Sequence, residues 1–118
     1  LVNRMRLRLS EQDVYHPLYK RYRLNLIEAL EANGSSIVAS GHEHTLQFIQ
    51  RHNQNFIVSG AGTKNNKVAL GKGSKFSIGE KGYVKLIFKD KDTAVIQYIV
   101  PGLFENEGNV AYEKVIEL

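Results

Sequence analysis

The feature that most constrains the fold is a change of hydrophobic period near residue 34. Before it, apolar side chains recur every three or four residues, which predicts one amphipathic helix. The pair His16-Pro17 opens this helix, because proline is tolerated in a first turn, and Asn33-Gly34 ends it. The predicted apolar stripe of the helix consists of Tyr19, Tyr22, Leu26, Ile27 and Leu30.

After residue 34 the chain predicts a series of short strands. Residues 37–39 form an apolar run typical of a buried strand, and residues 46–51 and 55–59 flank a three-residue turn, which predicts a hairpin. Further strands are predicted at 83–89, 93–100 and 110–116, whereas the glycine- and lysine-rich segment 60–79 is predicted to be a long loop. One helix followed by mostly antiparallel strands sets the fold class at the boundary of α/β and α+β. No linker divides residues 1–118, so we expect a single domain.

Composition excludes several classes of protein. The 118 residues suffice for one core, and 42% hydrophobic and 24% charged residues are ordinary for a globular chain. The sequence contains no cysteine, so a metal ion would be held by His, Asp, Glu, Asn or water. No apolar run approaches the roughly 18 residues of a membrane helix.

The net charge of +4 is concentrated near the beginning of the chain. The first 23 residues contain only two acidic residues and six basic ones. The basic residues are Arg4, Arg6, Arg8, Lys20, Arg21 and Arg23. Such a stretch can attract nucleic acid or an acidic partner, or it can be a solvated lead-in and one polar helix face. We favour the second interpretation, because Tyr19 and Tyr22 belong to the helix stripe and leave no aromatic platform for bases. A nucleic-acid partner is therefore not expected.

The segment most suited to chemistry is Gly41-His42-Glu43-His44, directly after the predicted strand at 37–39. Two imidazoles two residues apart can point to the same side of an extended or turning backbone, and imidazole is a ligand for Zn, Fe and Mn. Gly41 allows a sharp turn or a close approach to an ion. Ligands in open α/β sheets also tend to bind beyond the carboxyl ends of strands. By itself, however, His-x-His also fits two solvent-facing histidines on a loop.

A longer set of residues resembles a known family. Ser40-Gly41-His42-Glu43-His44, Leu46-Gln47 and then Ile57-Val58-Ser59-Gly60-Ala61-Gly62 are similar to the closing motif of calcineurin-like phosphoesterases, in particular the purple acid phosphatase branch. The resemblance extends over roughly residues 12–88. It implies a mixed β-sandwich flanked by helices that hydrolyses phosphate esters with two metal ions (Fe, Mn or Zn). It also implies that His42 and His44 are metal ligands, each directed mainly at a different ion.

Three other motifs of that family do not occur in this chain. The family has an Asp-x-His, a Gly-Asp and a Gly-Asn-His before the closing motif, and a binuclear site needs such oxygen ligands as well as imidazoles. The chain is therefore expected to be the C-terminal part of a longer phosphoesterase that pairs with its missing N-terminal half and is inactive alone. An inactive remnant and a small basic binding module are the alternatives. The sequence assigns no compartment, and an extracytoplasmic one is compatible with it.

The remaining candidates each allow two interpretations. His16 could be a further metal ligand, but we expect it to open the helix, and we expect His52 to be exposed in a turn. Glu43 could act as an acid or base, but it occupies the variable position of the motif and is expected to face solvent. The lysines of the 60–79 loop could cradle a phosphate or could simply be solvated; they include Lys64, Lys67 and Lys72.

Overall fold

The computed structural model describes residues 16–104 and 106–118. Its elements are α1 (Pro17–Glu31), β1 (Ser36–Ser40), β2 (Leu46–Arg51), β3 (Gln54–Ser59), β4 (Ser74–Ile78), β5 (Tyr83–Phe88), β6 (Thr93–Pro101) and β7 (Gly108–Glu117). The chain forms two compact units, residues 1–33 and residues 34–118. The predicted lead-in at 1–13, with its three arginines, lies outside the described residues.

The first unit contains α1, which begins and ends where the sequence predicts. The Nδ1 atom of His16 accepts a hydrogen bond of 3.2 Å from the backbone N–H of Leu18, so His16 is the N-cap, and Pro17 follows in the first turn. The side-chain amide of Asn33 donates to the carbonyl of Ala29 at the other end. No residue of α1 is buried, and Tyr22 and Leu26 of the predicted stripe are exposed.

The second unit contains two sheets. The first has the strand order β1-β3-β2-β4, in which β1 runs parallel to β3 and the other neighbours are antiparallel. The second is the antiparallel meander β5-β6-β7. Within the described residues, one helix and seven strands in two mostly antiparallel sheets make an α+β, sandwich-like fold, as predicted.

The core of this unit lies between the inner faces of the two sheets. Leu46, Phe48 and Ile57 of the first sheet pack with Ala94, Ile96 and Tyr98 of the second. Four aromatic rings extend this contact, and the rings of Phe76 and Tyr112 stack with centroids 4.8 Å apart. Alternation along β6 thus places every second side chain in a dry interface, which is the main source of stability in such a fold.

Three strand predictions need correction. β1 is an edge strand, so Ile37 and Val38 are half-buried and Ala39 is exposed, where a buried strand was predicted. The β2–β3 turn has two residues, because Gln54 already pairs with Arg51. Residues 74–78 of the predicted long loop form β4, a strand that was missed because only two of its five residues are apolar.

Candidate metal centre

Parallel pairing brings the two halves of the sequence motif together. Ser40, the last residue of β1, is in register with Val58 near the end of β3. Parallel neighbours end at the same edge of a sheet, so the segment 41–44 and the segment 60–62 leave the sheet side by side. The sheet topology therefore unites two motif segments that are sixteen residues or more apart in the chain.

His42 occupies a strained backbone conformation. Its φ is +70°, and the N–H of Glu43 donates to the carbonyl of Gly41 at 2.9 Å, which closes a γ-turn around His42. A γ-turn with positive φ is the rare and strained form for an L-residue, and such strain costs about 1–3 kcal/mol. Strained residues of this kind cluster at functional sites, since the surrounding structure must maintain them.

The backbone of His44 is held from two directions. The N–H of Thr45 donates to the carbonyl of Glu43 at 2.7 Å, which closes a second three-residue turn around His44. The N–H of Asn66 donates to the carbonyl of His44, also at 2.7 Å. His42 and Glu43 are exposed and His44 is half-buried, so the exposure expected for Glu43 is confirmed. Both histidines thus lie in consecutive turns whose backbones are held by hydrogen bonds.

Gly60 permits the close approach of the second motif segment. A Cβ at this position would lie 1.9 Å from the backbone oxygen of Glu43, and the N–H of Gly60 donates to the carbonyl of Thr45 at 3.2 Å. Glycine is therefore required here for space. The contact ties the exit of β3 directly to the histidine turns.

The neighbours of Gly60 fasten this edge to the second sheet. The hydroxyl of Ser59 accepts from the N–H of Val84 at 3.2 Å, and the carbonyl of the buried Ala61 accepts from the N–H of Gly82 at 3.1 Å. A Cβ added to Gly62 would have no atom within 4 Å, so this glycine has no comparable packing role. Three of the four residues in Ser-Gly-Ala-Gly thus have a defined structural function.

The Leu-Gln pair after the histidines connects the site to the core. Leu46 is fully buried, and the side-chain amide of Gln47 donates to the hydroxyl of Thr45 at 2.8 Å. The hydroxyl of Tyr98 donates to the carbonyl of Gln47. Burial, and then the neighbouring Tyr112, raise the pKa of the Tyr98 phenol well above its usual range. Tyr98 therefore stays a neutral donor beneath the site.

His42 and His44 suit part of a metal site. Imidazole nitrogen is a proper ligand for Zn, Fe or Mn, and the strained turn at His42 and the close approach at Gly60 are features of a built site. Within residues 16–104 and 106–118, no group of three or more His, Cys, Asp or Glu side chains converges on one point. The described residues thus offer two candidate ligands, and a complete site would need others.

The other two histidines have structural positions that the sequence predicts. The Nδ1 atom of His16 is the helix cap, as expected from the sequence. His52 is exposed in the β2–β3 turn with φ of +53°, at the amino end of β3 and therefore at the opposite end of the sheet from His42. The helix-opening position of His16 and the exposure of His52 in a turn are confirmed.

The described residues of the second unit line two clefts, one of which includes Gly62. One of about 470 Å³ is lined by polar residues such as Gln50, His52 and Asn55, and one of about 380 Å³ is lined mainly by apolar residues, including Tyr83 and Ile99. Neither is lined by His42 or His44.

Sequence reasoning missed a buried polar cluster at the amino end of β1 and β3. Asn55 is 2% exposed; its amide donates to the carbonyl of Ser36 at 3.1 Å and its oxygen accepts from Gln50 at 3.0 Å. Gln54, 3% exposed, accepts from the hydroxyl of Ser36 and donates to the carbonyl of Gly34. The only sequence signal was a Gln-Asn pair at the start of an otherwise apolar strand.

Comparisons with known proteins show the fold and no family. No family model matches the chain, and no curated protein matches it. A solved structure described as GAP50, the anchor in the inner membrane complex of Plasmodium, is similar with a TM-score of 0.71 and 16% sequence identity. The match covers 84% of this chain and 30% of that chain, so this chain spans less than a third of its structural neighbour. Among the described residues, no helix is long and apolar enough to cross a membrane.

Proposed function

We propose that this chain is the C-terminal segment of a calcineurin-like metallophosphoesterase of the purple acid phosphatase type. His42 and His44 supply two imidazole ligands to a pair of metal ions (Fe, Mn or Zn), and the ligands that complete the pair come from outside the described residues. The observation that carries the proposal is the convergence of Gly41–His44 with Gly60 at one sheet edge, with a strained backbone at His42.

The chain's own contribution to catalysis is to orient the ligands. Paired metal ions act as Lewis acids on a phosphoryl group. The γ-turn at His42 and the Asn66 contact to His44 fix the two backbones before any ion binds, so little ordering entropy is lost on binding. Gly60 lets the β3 exit lie against Glu43, which holds both turns against the sheet.

A non-catalytic scaffold is the second candidate, favoured by the structural likeness to a protein described as an anchor. A scaffold would keep the two sheets and the histidine edge without metal-dependent turnover. The two candidates differ in whether the complete protein binds metal through His42 and hydrolyses phosphate esters.

The deciding experiment compares two matched histidine variants of the complete polypeptide. His42 and His52 are both exposed and both have positive φ, but they lie at opposite ends of the sheet. His42→Gly and His52→Gly each remove an imidazole, and glycine accepts both backbones without strain. Metal content and hydrolysis of p-nitrophenyl phosphate are measured for each.

We expect His42→Gly to lose bound metal and to reduce kcat by a factor of at least about 100, as for loss of a ligand or its orientation. His52→Gly should match the wild type in both measurements. Full activity in His42→Gly would refute the ligand assignment. A wild-type protein that is folded and metal-free in the presence of Zn²⁺, Mn²⁺ and Fe²⁺ would favour the scaffold.

A further inference from the structure

The β3–β4 loop, residues 60–73, is basic and lies beside the histidine turns. It contains Lys64, Lys67 and Lys72 and no aspartate or glutamate. All three lysines are exposed. The ion pair found within the described residues joins Lys91 and Asp92, in a different turn. The loop segment 60–73 therefore carries three positive charges and no negative one.

Backbone contacts fix where this charge lies. The N–H of Asn66 donates to the carbonyl of His44 at 2.7 Å, and the side-chain amide of Asn65 donates to the carbonyl of Gly79 at 2.6 Å. Gly79 itself is packed so closely that a Cβ would lie 2.3 Å from the oxygen of Asn66 and 3.3 Å from the Cα of Lys67. The segment 65–67 is thus held between the histidine turn and the end of β4.

Lys64 directly precedes this anchored segment and Lys67 is its last residue. Lys67 directly follows Asn66 and Lys64 precedes it by two residues, so both side chains start close to the carbonyl of His44. Lysine is a compact charge on a flexible four-carbon stem and commonly binds phosphate. Because the bond to the carbonyl of His44 is made by Asn66, which lies between the two lysines in the chain, we assign the two ammonium groups to the rim of the metal edge.

We propose that Lys64 and Lys67 bind a second phosphate on the substrate, next to the phosphate that is hydrolysed. The preferred substrates are then small molecules with two linked phosphate groups, such as nucleoside diphosphates, in preference to simple monoesters. Water attacks the terminal phosphorus and the phosphoanhydride bond breaks, which gives inorganic phosphate and the nucleoside monophosphate. The proposal rests on the proposed function, since the hydrolysed phosphate is assigned to the ions held by His42 and His44. The two ammonium groups contact the second phosphate, and their charge also attracts the anionic substrate toward the metal edge.

The test uses the complete, metal-loaded protein with two substrates, ADP and p-nitrophenyl phosphate. The double variant Lys64→Ala/Lys67→Ala removes the rim charge. The control Lys89→Ala/Lys91→Ala removes the same number of positive charges from the turn after β5. The opposite end of β5 begins next to Gly82, whose N–H donates to the carbonyl of Ala61 beside the histidine edge. The six residues of β5, a length of about 20 Å, therefore separate the control lysines from the histidine edge.

We expect the rim variant to lower kcat/KM for ADP by about tenfold or more, as for loss of charged hydrogen bonds, and to change the value for p-nitrophenyl phosphate less than about twofold. The control variant should change neither. An equal loss for both substrates, or no loss for ADP, overturns the proposal.

A binding measurement separates this proposal from the proposed function. Titration of the metal-loaded protein with inorganic pyrophosphate and with inorganic phosphate should show tighter binding of pyrophosphate, and the rim variant should abolish the difference. Equal binding of the two anions by the wild type overturns the second-phosphate site even where hydrolysis is normal. If His42→Gly retains normal hydrolysis while the pyrophosphate preference depends on the lysines, the ligand assignment fails and the anion site stands.

Discussion

The backbone oxygen of Glu43 lies only 1.9 Å from the position that a Cβ on Gly60 would occupy. This relationship joins the two halves of the motif in space and explains why the second half needs a glycine. We therefore expect Gly60→Ala to reduce the free energy of unfolding by about 3 kcal/mol, because the backbone must shift to admit the methyl group. Chemical denaturation of the protein measures it.

Gly62→Ala is the matched control for this prediction. No atom lies within 4 Å of the Cβ it would add, so its stability should be unchanged or raised by up to about 1 kcal/mol through a smaller unfolded-state entropy. Equal destabilisation by the two substitutions would contradict the close approach.

The strain at His42 predicts an order of stability among its variants. Alanine keeps the cost of a positive φ whereas glycine relieves it, so His42→Gly should be more stable than His42→Ala by about 1 kcal/mol. His52, with φ of +53°, should show the same order. Thermal unfolding of the four variants provides the comparison, and an alanine variant as stable as its glycine counterpart would show that φ is not positive in solution.

The raised pKa of Tyr98 leads us to expect that the protein loses stability at alkaline pH. Its pKa is raised in the folded state, so above pH ~10 the unfolded chain has released a phenolic proton that the native protein still holds. Below pH ~10 this residue therefore makes its whole contribution to the free energy of unfolding, and that contribution decreases as the pH rises beyond that value. Tyr98→Phe removes this dependence, so its stability should change less than that of the wild type between pH 9 and 11, a range set by the usual pKa of ~10.

The same substitution has a cost at neutral pH. Tyr98→Phe leaves the carbonyl of Gln47 without its donor, which should destabilise the protein by about 1–2 kcal/mol. Tyr112→Phe retains the stacked contact with Phe76 and should cost less. Urea denaturation at pH 7 distinguishes the two, and an equal cost would show that the Tyr98 hydroxyl is not bonded to Gln47.

The buried amide of Asn55 predicts a further difference between neighbours. Asn55→Ala removes the partner of both the Ser36 carbonyl and the Gln50 side chain, so we expect a loss of about 2–3 kcal/mol in unfolding free energy. Asn53→Ala, in the exposed turn two residues earlier, should change it by less than about 0.5 kcal/mol. Similar values for the two variants would mean that the Asn55 bonds contribute little.

Local patterns in the sequence predicted most of the elements. Pro17 after a capping residue and Asn33-Gly34 marked the ends of α1, and the strands predicted at 83–89 and 93–100 correspond to β5 and β6. β4 was missed because its two apolar residues, Phe76 and Ile78, lie in a stretch of glycine, lysine and serine whose composition is typical of a loop. Residues 74–78 form a strand because they pair with β2. Pairing between segments far apart in the sequence depends on the sheet more than on local residue composition.

The sequence by itself determined the helix, the alternating strands and the two histidines as candidate ligands, because these depend on residue type and short-range spacing. Only the tertiary structure decided that β1 lies parallel to β3 at a sheet edge, which places Gly60 against Glu43, and that Asn66 joins the lysine loop to His44. Those relationships depend on the order of strands in the sheet. The free energy that selects this order comes from burying both inner faces together, and no short segment of the chain carries that information.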